Sequence, residues 1–415
     1  MARRRSPLLA IFLVVLVDVL GLTIIWPLLP FYAEHFGATP LVVGTLSGTY
    51  ALFQLVSGPV LGRLSDRHGR RPMLIVSQAG TLLGFLVLAN AHSLWLVFAA
   101  RALDGATAGN LSIAQAYIAD VTEPKDRAKS FGVIGIAFGL GFMVGPALSA
   151  WLAPIGLAVP IYVAAALSLT SILATTFLLP DEREISPARS LATSGQAGPA
   201  GRRLGLLSFG SYVPYFRRPG LGGALAQFFL FAFSFSTFMS GFALFAERRF
   251  TWDGHPFTAR EVGLVLAYAG LLGIIIQGGL VGRLVRAFGE RRVVVGSFAL
   301  SAVAYVLTGD AFSYTMLAIC TTLAAFGTGP LRPAITAIVS QHADASEQGV
   351  VLGLTQSLQS IAQITAPLLA GLLIEQRHLR AWAWVAGGAM LLGLVLALRS
   401  VGAPTPARAT PITPT

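Results

Sequence analysis

GRLSDRHGRRPML, Gly62 to Leu74, decides the reading of this chain. Four arginines, a histidine, an aspartate and two glycines crowd one short connection between two long apolar runs. Only 11% of the 415 residues are charged, so average composition does not produce such a cluster. Arginines beside a hydrophobic run fix its orientation, because they are retained on the cytoplasmic side of a bilayer. The aspartate and the glycines add something orientation does not require, a close helix approach and a charge contact that can break. The stretch reads as the gating loop of a membrane transporter. Gly62 is expected to permit close packing and Gly69 a tight turn. Asp66 is expected to hold an arginine or a helix end across the interface between two halves. Arg67, Arg70 and Arg71 are either gate partners or topology anchors.

Composition agrees. The chain is 55% hydrophobic, with 18 acidic and 29 basic side chains, whereas a soluble protein carries about a quarter charged residues. The net charge of +11 does not indicate nucleic acid, since the arginines sit in short loops and not on a polar domain face. The single cysteine, Cys320, excludes an intramolecular disulfide; inside an apolar run it reads as a buried, inert thiol.

A helix needs about 20 apolar residues to cross the hydrocarbon core. Twelve runs of suitable character follow, near Leu8–Pro30, Leu41–Leu61, Met73–Ala89, Leu94–Tyr117, Phe131–Trp151, Ala158–Leu179, Gly222–Ala246, Val262–Val285, Val293–Thr308, Phe312–Val339, Val350–Ile374 and Trp382–Leu398. The first carries Asp18 in its middle and is followed by eleven more, so it reads as an uncleaved helix and not a secretory signal. Arg3, Arg4 and Arg5, then Arg63 to Arg71, Lys125 to Lys129, Arg202 to Arg218 and Arg283 to Arg292 mark one side. The alternate loops YAEHFGATP, NAHS, APIGLAVP and GDAFS have no lysine or arginine. Both termini are therefore expected in the cytoplasm. Two loops, AERRFTWDGHPFTARE and EQRHLR, are basic on the supposed outer side and break the pattern.

The expected organisation is a first six-helix bundle over 1–180, a flexible cytoplasmic linker over 181–220, a second bundle over 221–400 and a disordered tail over 401–415. The halves echo one another at an offset near 220 residues. GRLVRAFGERRVVV matches the opening stretch, pairing Gly62 with Gly282, Gly69 with Gly289 and Arg71 with Arg291, while Asp66 is replaced by Arg286. Gly132 and Pro146 correspond in the same way to Gly353 and Pro367.

On these residues the chain resembles the major facilitator superfamily, within it the twelve-span drug–proton antiporters that include tetracycline efflux proteins. GRLSDRHGRRP resembles the signature between the second and third helices, RALDGATAGN the arginine signature of the fourth, and GFMVGPALSA the antiporter motif of the fifth. LVDVLGLTIIWPLLP, FAERRFTWD and QGGLVGR look most like the tetracycline branch. The resemblance implies an all-α membrane protein of twelve transmembrane helices in two pseudo-symmetric six-helix bundles. It implies export of an amphipathic small molecule or drug by alternating access, powered by protons, with no cofactor and no metal. The expected partners are the cargo, protons and the lipid bilayer, with no nucleic acid; the expected state is a monomer in the plasma or inner membrane. A proton–solute symporter for a sugar or organic acid is the alternative reading, and a non-transporting scaffold a remote one. No HExxH, GxSxG or Walker-type loop is present, which speaks against an enzyme.

Asp18 lies near mid-bilayer, where a charge costs roughly 2.5–3.5 kcal/mol. It is either a reversible proton carrier or the partner of a cation or kink near Gly21. Arg101 and Asp104, three residues apart, share a helix face. They form either a static salt bridge or a switch in which Arg101 changes partner; the resemblance favours coupling for Arg101. Gly141, Gly145 and Pro146 make a small, kinked surface, which the resemblance reads as a seal against leak, with Ser149 and Ala150 replacing the usual glycine pair. Gln227, Gln277, Gln356 and Arg332 are the polar candidates for a substrate pocket. The phenylalanines of the seventh span are expected to pack or face lipid. Where the tetracycline branch has acids in its third and ninth spans, this chain has Gly84 and Leu300, which puts tetracycline itself in doubt as cargo.

Overall fold

With no water to bond the backbone in lipid, apolar runs of this length close their hydrogen bonds internally as helices. The computed structural model describes residues 7–122, 127–180, 213–343 and 347–401; the first arginines, most of the expected linker and the expected tail lie outside the described residues. The first half comprises α1 (Pro7–His35), α2 (Pro40–His68), α3 (Arg70–Ala89), α4 (Leu94–Ala106), α5 (Asn110–Val121), α6 (Arg127–Leu152) and α7 (Val159–Leu178). A short α8 (Val213–Arg217) precedes the second half. That half holds α9 (Leu221–Arg249), a hairpin of β1 (Thr251–Trp252) and β2 (His255–Pro256), α10 (Ala259–Ile275), a π-helical turn (Ile276–Leu280), α11 (Val281–Phe288), α12 (Glu290–Gly309), α13 (Tyr314–Gln341), α14 (Gln348–Glu375) and α15 (Leu379–Val401). Eleven spans among the described residues are long and apolar enough to cross a membrane, and the divided fourth span makes the twelfth.

Two spans differ from the sequence expectation. The fourth is not one helix over Leu94–Tyr117; it breaks between Ala106 and Asn110. Thr107 to Gly109 cannot complete the backbone ladder, and Ser77 of α3 fills the gap. Its hydroxyl donates to the Thr107 carbonyl and accepts from the Gly109 N–H at 3.0 Å. The eighth span carries the π-helical turn at Ile276–Leu280, so α10 and α11 follow one another through a widened stretch.

The internal repeat is visible in contacts. Gly69 and Gly289 both turn the chain with positive φ, +100° and +78°. Arg71 donates to the Thr176 carbonyl at the end of α7, and Arg291 donates at 3.1 Å to the Ser400 carbonyl at the end of α15. Each arginine therefore ties the start of its half's third span to the end of the sixth. Beside them, Arg70 binds Asp120 at 2.9 Å, and its counterpart Glu290 accepts from Gln341 at 2.6 Å. The contact persists, but the ion pair of the first half becomes a carboxylate bonded to a neutral amide in the second.

The halves meet on the side away from the termini. A Cβ at Gly44 would strike the Pro367 carbonyl, one at Gly371 the Pro40 carbonyl, and one at Gly270 the Phe142 carbonyl. These close backbone approaches seat α2 on α14 and α6 on α10. On the terminus side, Gly58, Gly62, Gly135, Gly278 and Gly282 face open space. The two halves therefore touch at one end and gape at the other. Two polar ties reinforce the closed end. Arg248 of α9 binds Glu34 of α1 at 2.6 Å, and also Glu247 at 2.7 Å. Glu375 of α14 accepts from the Thr39 hydroxyl at 2.8 Å and from the Leu41 N–H at 3.0 Å, capping α2 from the other half. Three of the five arginines that broke the loop-charge pattern are engaged: Arg248 across the halves, Arg249 on the Ala311 carbonyl at 2.8 Å, and Arg380 on Asp310 at 3.0 Å.

Candidate functional site

Above the gape, the halves enclose a cavity of about 1020 Å³, counting the space open to solvent. Helix periodicity places its lining. Leu22, Ile25, Trp26 and Leu29 form one stripe of α1, and Ser47, Tyr50, Ala51 and Gln54 one stripe of α2. Arg101 reaches it from α4, Phe235, Ser236, Met239 and Ser240 from α9, and Gln359 and Gln363 from α14. The surface is mainly apolar, with a few convergent amides, hydroxyls and one cation. Gln54 donates to the Tyr50 hydroxyl at 3.1 Å.

Arg101 is the hinge of the charge arrangement. Its guanidinium lies 4.3 Å from the centre of the Tyr50 ring and donates to Asp104 at 2.9 Å. Both side chains of this pair are less than a tenth exposed, at 7% and 9%. The Arg101 Nε–H is buried with no hydrogen-bond partner, leaving one donor free for another acceptor. Asp18, expected as proton carrier or ion-pair partner, is bonded to neither arginine nor lysine among the described residues. Its Oδ1 accepts from the Ser171 hydroxyl of α7 at 3.1 Å, and Ser171 accepts from the Gln78 amide of α3 at 2.7 Å. Tyr50 is within electrostatic reach of Asp18, Arg101 and Asp104, and Asp18 within reach of Asp104; of these four, Tyr50 and Arg101 line the cavity.

The antiporter-motif residues stand at a three-helix junction. Gly141 packs against Val19 and Gly145 against Thr23, one and five residues beyond Asp18, and the Thr23 hydroxyl donates to the Gly141 carbonyl at 2.8 Å. The Pro146 carbonyl meets Gly263 of α10. Thus α6 joins the helix bearing Asp18 to the interface between halves.

The gating loop departs from expectation. Asp66 pairs with Arg70 of its own half at 2.5 Å, not with a group across the interface, and Gly62 packs against nothing within 4 Å. The reason is the gape itself, because this loop lies where the halves part. Gly69 does make the expected turn. Arg67 is exposed, while Arg70 and Arg71 are drawn inward onto Asp120 and Thr176.

None of the four polar substrate candidates lines the central cavity. Gln227 is buried, whereas Gln277, Gln356 and Arg332 are exposed elsewhere. Tyr50, Gln54, Gln359 and Gln363 take that place, and the i, i+4 spacing of each pair is the available signal. Most of the seventh-span phenylalanines pack internally, Phe238 stacking on Tyr305 at 4.1 Å and on Trp382 at 5.2 Å. Cys320 is buried. Among the described residues, no cluster of three or more metal-ligating side chains occurs.

The profile of the Major Facilitator Superfamily matches residues 11–286 and again 257–414. The class C tetracycline resistance protein of Escherichia coli is 30% identical over 407 residues, which are 96% of this chain and 97% of that one. Multidrug resistance protein 2 of Bacillus subtilis is 28% identical, over 94% of each chain. The crystal structure of the human organic anion transporter MFSD10 (TETRAN) superposes with a TM-score of 0.68 at 24% identity, over 96% of this chain and all of that one.

Proposed function

The chain belongs to the major facilitator superfamily, and on that footing we propose that it exports an amphipathic small molecule in exchange for protons, by alternating access, from a plasma or inner membrane with both termini in the cytoplasm. It is a multi-pass membrane transporter and not an enzyme. One observation carries the finer reading: the Asp18 carboxylate sits midway along a membrane-spanning helix, held by a serine hydroxyl and not by a cation. A carboxylate in that setting is free to gain and lose a proton. Ionised, it competes with Asp104 for Arg101, whose spare Nε–H is available. Neutral, it leaves Arg101 to Asp104. Because Arg101 also lines the cavity, the proton and the cargo bear on the same guanidinium.

The gape toward the termini is the state that loads cargo from the cytoplasm. Closure there would bring the Asp66 loop against the second half, and rupture of the Glu34–Arg248 and Glu375 ties would open the outer end. The cavity's aromatic and amide lining suits a drug-like ligand. The names of the relatives, a tetracycline resistance and a multidrug resistance protein, support the same class. Tetracycline itself is a poorer fit, since Leu300 stands where the tetracycline branch has an acid.

The test is flux in inverted vesicles with an acidic interior, using a toxic compound to which the protein confers tolerance. Wild type is expected to accumulate the compound and to lose the ability when the gradient collapses. Asp18→Asn is expected to remain folded and lose gradient-driven uptake. Undiminished gradient-driven uptake by that variant would remove Asp18 from the mechanism.

A further inference from the structure

Arg332 is used by nothing described above. It lies within the membrane-spanning α13, between Pro330 and Pro333, and is exposed while Leu331, Ala334 and Ile335 around it are buried. No side-chain hydrogen bond or ion pair reaches it among the described residues. Gly329, three residues before it, packs against Ile276 of the eighth span, so Arg332 stands about one turn farther along α13, beside the widened turn at Ile276–Leu280. An arginine that is exposed within a membrane-spanning helix faces water where it has no partner, and the water-filled space on this side is the gape between the halves.

Among the described residues, the spans of the second half hold no carboxylate to answer it; Asp344, just beyond α13, lies outside the described residues. The sequence has no aspartate or glutamate from Val262 to Gly289, from Arg291 to Gly309, from Ala311 to Ala343 or from Gln348 to Ile374. At the ends of these stretches Glu290 is bonded to Gln341, Glu347 to Arg218, Glu261 to Thr258, Asp310 to Arg380 and Glu375 to α2. In the first half, Asp104 is held by Arg101, and Asp66 and Asp120 by Arg70. At the mouth of the second half, Arg286 replaces the aspartate that the first half has at Asp66. A cation in a membrane interior is normally paired or faces water, and among the described residues no side chain is bonded to this one.

We propose that Arg332 is a specificity-determining residue that receives an anionic group of the cargo, a carboxylate borne on an apolar body, as the cargo enters the open end. This rests on the exporter reading and narrows its cargo from amphipathic compounds in general to amphipathic organic acids. A guanidinium suits the task because it stays charged and offers a planar fork to a carboxylate. Gln277 and Gln356, both exposed, are the remaining polar groups of the sequence candidates outside the central cavity.

The test is equilibrium binding to purified protein, which depends on neither the proton gradient nor the direction of transport. The probes are aromatic carboxylates paired with their methyl esters, read by ligand-induced thermal stabilisation and titration in a neutral detergent. The acids are expected to bind wild type more tightly than the esters. Arg332→Gln is expected to weaken the acids about tenfold and leave the esters unchanged, while Arg332→Lys recovers part of the loss. Esters binding as well as acids, or an Arg332→Gln variant of native stability that keeps the preference, would overturn the proposal. Stabilisation by added phosphatidylglycerol that depends on Arg332 and displaces the acids would assign the arginine to a lipid headgroup and also overturn it. Gradient-driven flux in Asp18→Asn, measured separately, reports on the proton engine alone.

Discussion

Gly84 and Asp104 explain one another. A Cβ added at Gly84 would stand 3.1 Å from the Asp104 Cβ, so the two positions reach into one space. The resemblance to tetracycline efflux proteins implies an acid in the third span at Gly84; here the fourth span delivers a carboxylate to nearly the same place and holds Arg101 with it. Asp104→Ala should leave a buried arginine unpaired, at a cost of about 3–5 kcal/mol. Adding Gly84→Asp to that variant should recover much of the thermal stability and transport. A double variant as unstable as Asp104→Ala would mean that the helix of origin matters, and that the two acids are not interchangeable. Asp18 and Arg101 are legible from sequence because an intramembrane charge has few innocent uses. Their partners are not: the coordinates bond Arg101 to Asp104 and Asp18 to Ser171.

Helices α2, α6, α10 and α14 carry the closed interface, and their glycines set how near the backbones come. Sequence spacing locates these spans, yet it misses the break in the fourth and the widened turn in the eighth. Both depend on support from a different helix: Ser77 of α3 satisfies the broken stretch, and Ile276 of the widened turn meets Gly329 of α13. Local propensity carries no record of such partners. The Asp66 loop departs from its sequence reading for a related reason, since it lies where the halves part, and local sequence does not record which end of the interface is closed. At the closed end, Glu375 acts as a cap donated by one half to the first turn of α2 in the other. Glu375→Ala should remove about 1 kcal/mol from the closed arrangement, shifting the ratio of outer-open to outer-closed molecules about fivefold. In a Cys320→Ser background, a cysteine replacing Ser240 in the cavity should then react faster with an impermeant thiol reagent applied from the outer side. An unchanged rate would show that Glu375 only decorates the interface.

Over the whole molecule, the degenerate repeat is a better guide than any single motif. Arg71 and Arg291 perform the same tie in both halves, and the replacement of Asp66 by Arg286 leaves the second half's loop with a cation where the first has its one acid. Glycine matches in a glycine-rich chain do not prove a repeat; two matched arginines on carbonyls near the ends of matched helices support one. In the proposed cycle those halves are rigid bodies whose contact moves from one end to the other when Asp18 changes charge. Spin labels at Arg63 and Arg283, both exposed at the gaping end, report that movement as a distance. Wild type in lipid should show the label separation shorten when the medium is made acidic, and Asp18→Asn should hold the shortened distance at every pH. A distance independent of pH in wild type, or the same pH response in Asp18→Asn, would contradict the claim that this carboxylate sets which face is open.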